Sequence, residues 1–485
     1  MDEEKITRQE PYEVPDVDFD SLIEKAQAIY FVGIGGVGMS ATAGITKQAG
    51  FSVFGTDQSE IYSPAKDVLD KFSIDYKTPY DAQNIVDHPA DIYIASAGED
   101  ENNPEIKALR DSGKPIFSFS NLLAYLYRDQ IRAVVAGTHG KSTTAGLLGY
   151  VLSEIDDSSF MTGAILQDLE TNFHSGDGHY AVFEGDEYKA LYDDPTPKFH
   201  YYKADILVLT NLEYDHPDLF ESFEAQKEEF QHLVANIPAD GLIIYNADDP
   251  EFKSLVYGRE VAAFCYGMHN DADYYAHDIS YGFKTTFTVD EKKSGKSFEY
   301  ELSLPGEINV YNGLSVIATL RALNFDHELI KPLISEYQGV KRRFEVVGKK
   351  DGVTYVDDYA HHPTAVRETL EAAKLKYPGK RIWGIFEPHT FSRTQATLAD
   401  LAKSFSAADK VLISDIYPAR ENIKNATITS QEVVDSIAQH HKDVRLVHNK
   451  SEAKQILRAE LKPGDVVIVM AVGSFNRLAY ELLDS

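Results

Sequence analysis

The segment richest in chemistry follows the apolar run AVVA and precedes the helix-forming run AGLLGYVL. It consists of Gly137, Thr138, His139, Gly140, Lys141, Ser142 and Thr143. A strand, a glycine loop and a helix in this order form a phosphate site. The backbone N–H groups of such a loop surround phosphate oxygens, the lysine reaches the β- and γ-phosphates, and the serine hydroxyl ligates Mg²⁺. The strict phosphate-loop pattern has two glycines separated by four residues, and Val135 stands at the position of the first one. The alternative interpretation of this segment is an incidental turn without a ligand. The flanking strand and helix favour a phosphate loop that binds ATP.

A second glycine loop also lies between an apolar strand and a helix. It contains Gly33, Gly35, Gly36, Val37 and Gly38, and Asp57 closes the next strand. Such a loop binds pyrophosphate and such an acid binds ribose in dinucleotide folds, although a tight turn against a closely packed helix has the same sequence. Two phosphate loops together predict two nucleotide-like ligands, one as the energy source and one as the handle of the substrate.

Carboxylates and a histidine follow two later apolar strands. They are Glu184, Asp186 and Glu187, then Glu213, Asp215 and His216, which come shortly after Asn211. Mg²⁺ prefers oxygen ligands and neutralises the charge that develops in phosphoryl transfer. Acids in a chain with 77 Asp and Glu often form only a solvated surface. Glu184 and His216 are the favoured site candidates because each follows a buried-strand pattern.

Three further polar segments lie near the ends of later strands or at a domain edge. They are KRRFE at 341–345, DDYAHHP at 357–363 and EPHTFSRT at 387–394. The first and third add positive charge to an acidic chain, so these segments can close over an anionic ligand. Metal ligation by His361 or His362 is disfavoured, because adjacent histidines lack zinc-type spacing and no cysteine accompanies them.

Three blocks of alternating strand and helix patterns indicate an α/β architecture. They predict an acidic extension at 1–27, followed by domains at 28–130, 131–339 and 340–485. From about Val261 to Leu304, alternating Tyr, Phe and Thr residues predict antiparallel strands attached to the parallel sheet of the middle domain.

The composition of the whole chain limits which kinds of partner it can bind. The 485 residues exceed one ordinary core, and the net charge of −30 repels polyphosphates, which argues against nucleic acid. The N-terminus lacks the apolar core of a signal peptide, and no run approaches about 18 apolar residues. Cys265 is the only cysteine and is expected to be a buried small hydrophobe. We therefore predict a cytoplasmic protein without a membrane partner, either a monomer or a homodimer.

Taken together, the motifs resemble those of the Mur ligase family, from Ala28 to about Ser474. The most specific are GIGGVGMSA at 33–41, GTHGKSTT at 137–144, EGDEY at 184–188, TNLEYDHPD at 210–218, NADDP at 246–250, GVKRRFE at 339–345, VDDYAHHP at 356–363 and EPHTFSRT at 387–394. The resemblance implies a Rossmann-like UDP-sugar domain, a central P-loop ATPase domain and a C-terminal Rossmann-like domain that closes over the site. It implies ATP-dependent joining of L-alanine to UDP-N-acetylmuramate through an acyl phosphate.

The resemblance also implies roles for individual residues. ATP would be bound by the 137–143 loop, Asn309, Asn312, Arg343 and Asp357, and two Mg²⁺ ions by Ser142, Glu184 and His216. The amino acid would be bound by Tyr359, His361, His389 and Arg393, and the UDP-sugar by Gly33, Gly35, Gly36, Val37, Gly38, Asp57 and Ser96. The residues with catalytic roles would be Lys141, Glu184, His216, Arg343 and His361.

Two departures leave alternatives open. The adenine motif of the family usually reads Gly-x-His-Asn, whereas this chain has Gly306-Glu307-Ile308-Asn309. The stretch from Asp186 to Asp218 resembles a recycling relative that attaches a whole tripeptide to the same sugar, although the 33–41 and 389–394 motifs favour L-alanine. A P-loop kinase and a non-catalytic nucleotide-binding protein are the alternatives from other classes.

Overall fold

A computed structural model of the chain describes residues 19–216, 219–269, 271–419, 421 and 426–484. Most of the predicted acidic extension, residues 1–18, lies outside this part. The first described element is helix α1 (Phe19–Ile23). The predicted α/β architecture is confirmed, because the strands form three separate sheets, each flanked by helices. None of the described helices has the length and apolar character needed to cross a membrane.

The first sheet has five parallel strands in the order β3-β2-β1-β4-β5. Its strands are β1 (Ala28–Val32), β2 (Ser52–Thr56), β3 (Asp75–Lys77), β4 (Ile92–Ala95) and β5 (Ile116–Phe117). The accompanying helices are α2 (Val37–Gln48), α3 (Ala65–Lys71), α4 (Ala82–Asp87), α5 (Pro104–Asp111) and α6 (Phe119–Leu126). Strand order reverses at β1, so the glycine loop after β1 lies at the point where ligands of open sheets gather.

The central sheet has ten strands in the order β15-β14-β13-β12-β11-β10-β6-β9-β7-β8. Its strands are β6 (Ile131–Ala136), β7 (Ser159–Leu166), β8 (Thr171–His174), β9 (Tyr180–Gly185), β10 (Ile206–Leu209), β11 (Leu242–Asn246), β12 (Ala262–Gly267), β13 (Tyr274–Ser280), β14 (Thr285–Glu291) and β15 (Lys296–Leu302). The helices are α7 (Lys141–Asp156), α8 (Lys198–Tyr201), α9 (Phe223–Ala235), α10 (Pro250–Val256), α11 (Glu307–Ala322) and α12 (His327–Glu336).

The antiparallel part of this sheet begins later than the sequence predicts. Strand β12 is parallel to β11 and to β13, and only the pairs β13/β14 and β14/β15 at that edge are antiparallel. The prediction from Val261 onward was therefore wrong for 262–267, because the chain returns through α10 and adds one more parallel strand. Cys265 in β12 is also half-buried instead of buried.

The third sheet has the order β16-β17-β21-β18-β19-β20, with only the β16/β17 pair antiparallel. Its strands are β16 (Glu345–Lys350), β17 (Val353–Asp358), β18 (Ile382–Phe386), β19 (Lys410–Ser414), β20 (Val444–Val447) and β21 (Val466–Met470). The helices are α13 (Pro363–Lys376), α14 (Phe391–Leu401), α15 (Ser430–Ala438), α16 (Lys450–Glu460) and α17 (Arg477–Asp484).

Register explains why polar residues converge in the central sheet. In the parallel pairs on either side of β6, Val135 lies beside Glu184 and Ala136 lies beside Leu209. The carboxyl ends of β9, β6 and β10 are therefore neighbours at one edge. This edge carries Glu184, the phosphate loop and the 211–216 segment together.

Candidate functional site

A cavity of about 1520 Å³ lies where the three sheets meet. The predicted site residues that line it are Val37, Thr138, His139, Gly140, Lys141, Ser142, Thr143, Glu184, His216, Asn309, Asn312, Arg343, Tyr359, His361, His389 and Arg393. Eight other predicted residues do not line it, namely Gly33, Gly35, Gly36, Gly38, Asp57, Ser96, Gly137 and Asp357. The structure thus brings the residues predicted for ATP and the amino acid together, but only one of those predicted for the UDP-sugar.

The phosphate loop is held rigidly by the strand end beside it. Thr138 N donates to the Asn211 carbonyl and His139 N to Asn211 Oδ1, both at 2.8 Å. Gly137 has a φ of 139°, and a Cβ at this position would collide with Thr210. Glycine is therefore required here by both backbone conformation and space.

Lys141 lies at the start of α7 and is anchored by the loop that it belongs to. Its Nζ donates to the carbonyls of Gly137 at 2.6 Å and Thr138 at 3.1 Å, and to Glu187 Oε1 at 3.0 Å. Burial disfavours the ammonium, but the Glu187 carboxylate outweighs this effect and raises the pKa of Lys141. The site therefore contains a fixed positive charge at the mouth of the phosphate loop.

Ser142 and Glu184 offer the oxygen ligands that Mg²⁺ prefers. Ser142 Oγ donates to Glu184 Oε1 at 2.6 Å, and Gly163 N donates to Glu184 Oε2 at 2.7 Å. A hydroxyl and a carboxylate in contact beside a phosphate loop are a hard, oxygen-only donor set. These two residues fit one Mg²⁺ ion.

His216 is tied to Arg393 and not to this oxygen pair. Its Nδ1 accepts a hydrogen bond from Arg393 Nη2 at 3.0 Å, and burial lowers the pKa of the imidazole. A neutral ring that accepts at Nδ1 carries its proton on Nε2, so neither nitrogen has a free lone pair. A second Mg²⁺ at His216 therefore does not fit the arrangement in this structure.

Arg393 joins the C-terminal part to the central part. Its Nη2 also donates to Asp215 Oδ1 at 2.9 Å, and its Nη1 lies 3.1 Å from His389 Nδ1. Only 5% of the Arg393 side chain and 7% of the Asp215 side chain are exposed. Burial disfavours the carboxylate, but the charge of Arg393 holds the pKa of Asp215 far below its usual range. Arg393 Nε has no hydrogen-bond partner among the described residues.

Aromatic and imidazole rings surround this guanidinium. The His361 ring lies 5.6 Å from that of His389 and 5.4 Å from that of Tyr359. His361 Nδ1 donates to the Tyr359 carbonyl at 2.9 Å, which leaves the lone pair on Nε2. Burial and the charge of Arg393 lower the pKa of His361 well below its ordinary value, so the ring is neutral at pH 7.

The residues predicted for the nucleoside are only partly in place. Asn309 and Asn312 meet on α11, where Asn312 Nδ2 donates to Asn309 Oδ1 at 3.0 Å. Asp357 is buried and does not itself line the cavity, but Asn476 and Tyr480, which do, donate to its Oδ2 at 3.3 and 3.2 Å. Burial raises the pKa of Asp357 to about 6. Contact of Asp357 with ribose would require these hydrogen bonds to be exchanged.

The first glycine loop closes on itself. Gly35 N donates to Asp57 Oδ2 at 2.8 Å, and a Cβ at Gly33 would lie 2.9 Å from that of Ser96. Asp57 thus occupies a backbone amide that was predicted to face pyrophosphate. Val37 at the start of α2 is the member of the loop that lines the cavity.

Sequence reasoning gave no individual role to Asp215, Glu187 or Thr364. Asp215 and Glu187 lie in motifs that the sequence singled out, and only their buried partners distinguish them from solvated acids. Thr364 Oγ1 donates to Glu213 Oε2 at 2.8 Å across 151 positions of sequence, and no local pattern signals that contact.

Each of the three parts of the chain matches a model of a known protein family. Three family models match, described as Mur ligase family, catalytic domain (28–130), Mur ligase middle domain (135–320) and Mur ligase, glutamate ligase domain (342–473). The chain is 35% identical to the UDP-N-acetylmuramate–L-alanine ligase of Caldanaerobacter subterraneus, over 95% of this chain and 98% of that one. It is 34% identical to the enzyme of that name from Desulfitobacterium hafniense, over 94% of this chain and 99% of that one.

Solved structures give the same result. The UDP-N-acetylmuramate-alanine ligase of Thermotoga maritima has a TM-score of 0.78 at 25% identity, over 94% of this chain and 98% of that one. A murein peptide ligase from Psychrobacter arcticus has a TM-score of 0.72 at 25% identity, with the same coverage. From its matched domains, its relatives and the convergence of its motifs on one cavity, the chain belongs to the Mur ligase family.

Proposed function

We propose that the protein is an ATP-dependent ligase that joins L-alanine to the lactoyl carboxylate of UDP-N-acetylmuramate. The observation that carries this proposal is the single cavity lined by the phosphate loop, Glu184, His361 and Arg393. A phosphate donor site and a carboxylate-binding arginine in one cavity suit the coupling of ATP hydrolysis to amide formation. The names of the relatives that span nearly the whole chain support the same substrates.

The reaction needs ATP because a carboxylate is a poor acyl donor to an amine at neutral pH. Transfer of the γ-phosphoryl group to the lactoyl carboxylate forms an acyl phosphate, and the amine then attacks the acyl carbon. The tetrahedral intermediate expels phosphate and leaves the amide. Lys141, held by the carbonyls of Gly137 and Thr138, would stabilise the γ-phosphoryl group during transfer, together with Arg343, which lines the same cavity.

Ser142 and Glu184 would hold one Mg²⁺, which supplies neutralisation of phosphate charge when it is bound. Glu184 is pre-positioned for that role by the Gly163 N–H, which fixes one carboxylate oxygen. The second ion that the resemblance implies would require His216 to give up its hydrogen bond from Arg393.

Arg393 and His361 would bind the amino acid. Arg393 Nε is buried and retains its N–H for an α-carboxylate, while Nη2 is committed to Asp215 and His216. The lone pair on His361 Nε2 can accept an N–H from the amine and orient it for attack. Closure of the C-terminal part over the cavity would keep water from the acyl phosphate.

The decisive experiment measures phosphate release and amide product with UDP-N-acetylmuramate, ATP and Mg²⁺ while the acceptor is varied. L-alanine, glycine, L-serine and the tripeptide of the recycling reaction are compared, and Lys141→Ala provides the inactive control. We expect release of ADP and phosphate only with both the sugar and an amine, with L-alanine preferred. Full-rate phosphate release without the sugar, or a stable phosphorylated product without an amide, would overturn the proposal. Preference for the tripeptide would assign the recycling reaction instead.

A further inference from the structure

Three side chains from separate segments meet beside the phosphate loop, at the junction with the C-terminal part. They are His139 in the loop, Glu213 after β10 and His362 at the start of α13, and we call them the junction triad. One potential ligand atom from each lies within 4.8 Å of the other two. The His139 side chain is 13% exposed and that of His362 is 10% exposed. The Glu213 side chain is 43% exposed, so two largely buried imidazoles meet a carboxylate that is open to solvent.

The separations within the junction triad match those of a small coordination sphere. His139 Nε2 lies 3.1 Å and His362 Nδ1 lies 3.9 Å from Glu213 Oε2. Ligands bound tetrahedrally to zinc at about 2.0–2.1 Å are separated from one another by roughly 3.3 Å. Shifts of about 1 Å or less for most atoms would thus centre an ion between the three side chains.

The segments that carry the three side chains are anchored, so the ligands are pre-positioned. Glu213 N donates to Thr138 Oγ1, and Thr138 Oγ1 is 2.9 Å from the Glu213 carbonyl as well. His139 N is fixed by Asn211, and His362 Nδ1 caps α13 by accepting from Thr364 N at 3.4 Å, a long hydrogen bond that an ion would replace. Ordering three ligands therefore costs little additional conformational entropy when an ion binds.

The protonation states of Glu213 and His362 suit metal binding. Burial disfavours the Glu213 carboxylate, but hydrogen bonds from His139 and Thr364 lower its pKa to about 2. Burial and the neighbouring His139 lower the pKa of His362 to about 4. At neutral pH an ion would therefore displace no proton from either of these groups, and would replace only the proton that His139 Nε2 donates to Glu213.

We propose that the junction triad binds one zinc-class divalent cation, which bridges the phosphate loop and the C-terminal part of the chain. Two nitrogen ligands select zinc, cobalt, nickel or copper over magnesium, which takes oxygen ligands. The triad contains none of the residues at the Mg²⁺ position, Ser142 and Glu184. The two histidines come from segments more than 200 residues apart, so no local zinc spacing could reveal them in the sequence.

The test uses the full chain, stripped with a chelator and kept in excess Mg²⁺ so that magnesium positions are filled. Zinc binding is measured by competition with a chromophoric zinc chelator, and thermal unfolding is followed with and without zinc. The variants are Glu213→Gln, which keeps shape, and His362→Asn, which keeps a helix-capping side chain. The matched control is His277→Asn, because His277 contacts Asp278 and Asp290 through opposite ring nitrogens and cannot converge on one ion with both.

We expect one zinc ion per wild-type chain that excess Mg²⁺ does not displace, with a higher unfolding temperature in zinc. Each triad variant should weaken zinc binding at least about 10-fold, the lower range for loss of even an outer partner of a metal ligand. Both triad variants should lose the zinc-dependent rise in unfolding temperature, while His277→Asn keeps both properties. No binding by the wild type, or equal binding by wild type and triad variants, would overturn the proposal and leave the cluster as a hydrogen-bonded contact. Neither result bears on amide formation, which tests the proposed function separately.

Discussion

Replacement of Arg393 by lysine tests the proposed amino-acid site most directly. Removing the positive charge altogether would leave the buried Asp215 carboxylate without a counter-ion, at a cost of about 3–5 kcal/mol in stability. Arg393→Lys avoids that complication, because the ammonium can still pair with Asp215. It removes the Nε donor and the planar fork, which are the features proposed to bind the α-carboxylate.

The magnitude follows from the hydrogen bonds. The two N–H groups of Nη2 serve Asp215 and His216 and one N–H of Nη1 lies against His389, so Nε and the second N–H of Nη1 are the donors left for the substrate. One hydrogen bond to a charged group contributes about 1.5–3 kcal/mol. Its loss predicts a fall in kcat/KM for L-alanine of about 10- to 150-fold, at 1.4 kcal/mol for each factor of ten.

The assay is phosphate release at saturating UDP-N-acetylmuramate, with L-alanine and ATP varied in separate series. We expect the KM for L-alanine to rise while the KM for ATP changes less than about 3-fold, because the Lys141 loop is untouched. Arg367→Lys, an exposed arginine beside Glu368, is the matched control and should behave as wild type. A raised KM for ATP with an unchanged KM for L-alanine would refute the assignment and place Arg393 in the nucleotide site.

Three other substitutions test separate parts of the structure. Glu184→Gln should raise the Mg²⁺ concentration for half-maximal activity at least about 10-fold, because it leaves Ser142 without its carboxylate partner. A Mg²⁺ titration that gives the same half-maximal concentration as wild type would count against this site. Gly137→Ala should lower the free energy of unfolding by more than about 2 kcal/mol, because φ is 139° and the methyl group collides with Thr210. Thermal or urea unfolding measures this change, and wild-type stability would contradict the loop geometry. Burial lowers the pKa of His327 to about 4 in the folded chain, whereas it is about 6.5 in the unfolded chain. As the pH drops from about 6.5 towards 4, the unfolded chain therefore binds a proton on this imidazole that the folded chain does not, and stability falls. In urea unfolding, His327 should contribute about 2 kcal/mol of the stability lost between pH 7.5 and 5, and the loss in His327→Asn should be smaller by that amount; an equal loss in both proteins would mean that the histidine titrates normally.

Strand patterns were sufficient to predict the architecture. The apolar runs that open at Ala28 and Ile131 are β1 and β6, and each is followed by a glycine loop and a helix as predicted. The exception at β12 has a physical reason. A short run such as AAFCYG can pair in either direction, and the direction depends on whether the chain returns by a hairpin or through a helix such as α10.

The site was predictable where strand ends are neighbours and not where separate sheets meet. Glu184 and the phosphate loop come together because parallel register aligns their strands. The contact between Arg393 and Asp215 spans 178 positions and depends on how the third sheet docks on the second. The hydrogen bond from Gly35 N to Asp57 also depends on tertiary structure, because it joins the loop after β1 to the residue after β2.

The segment 211–216 explains how events at the phosphate loop reach the C-terminal part. Asn211 at its start holds the loop through Thr138 and His139, and Asp215 and His216 at its end hold Arg393. Six consecutive residues therefore contact both halves of the proposed active site. A ligand that orders the loop in the docked arrangement stabilises docking through this segment. Because such coupling is reciprocal, docking must tighten the binding of that ligand by the same factor.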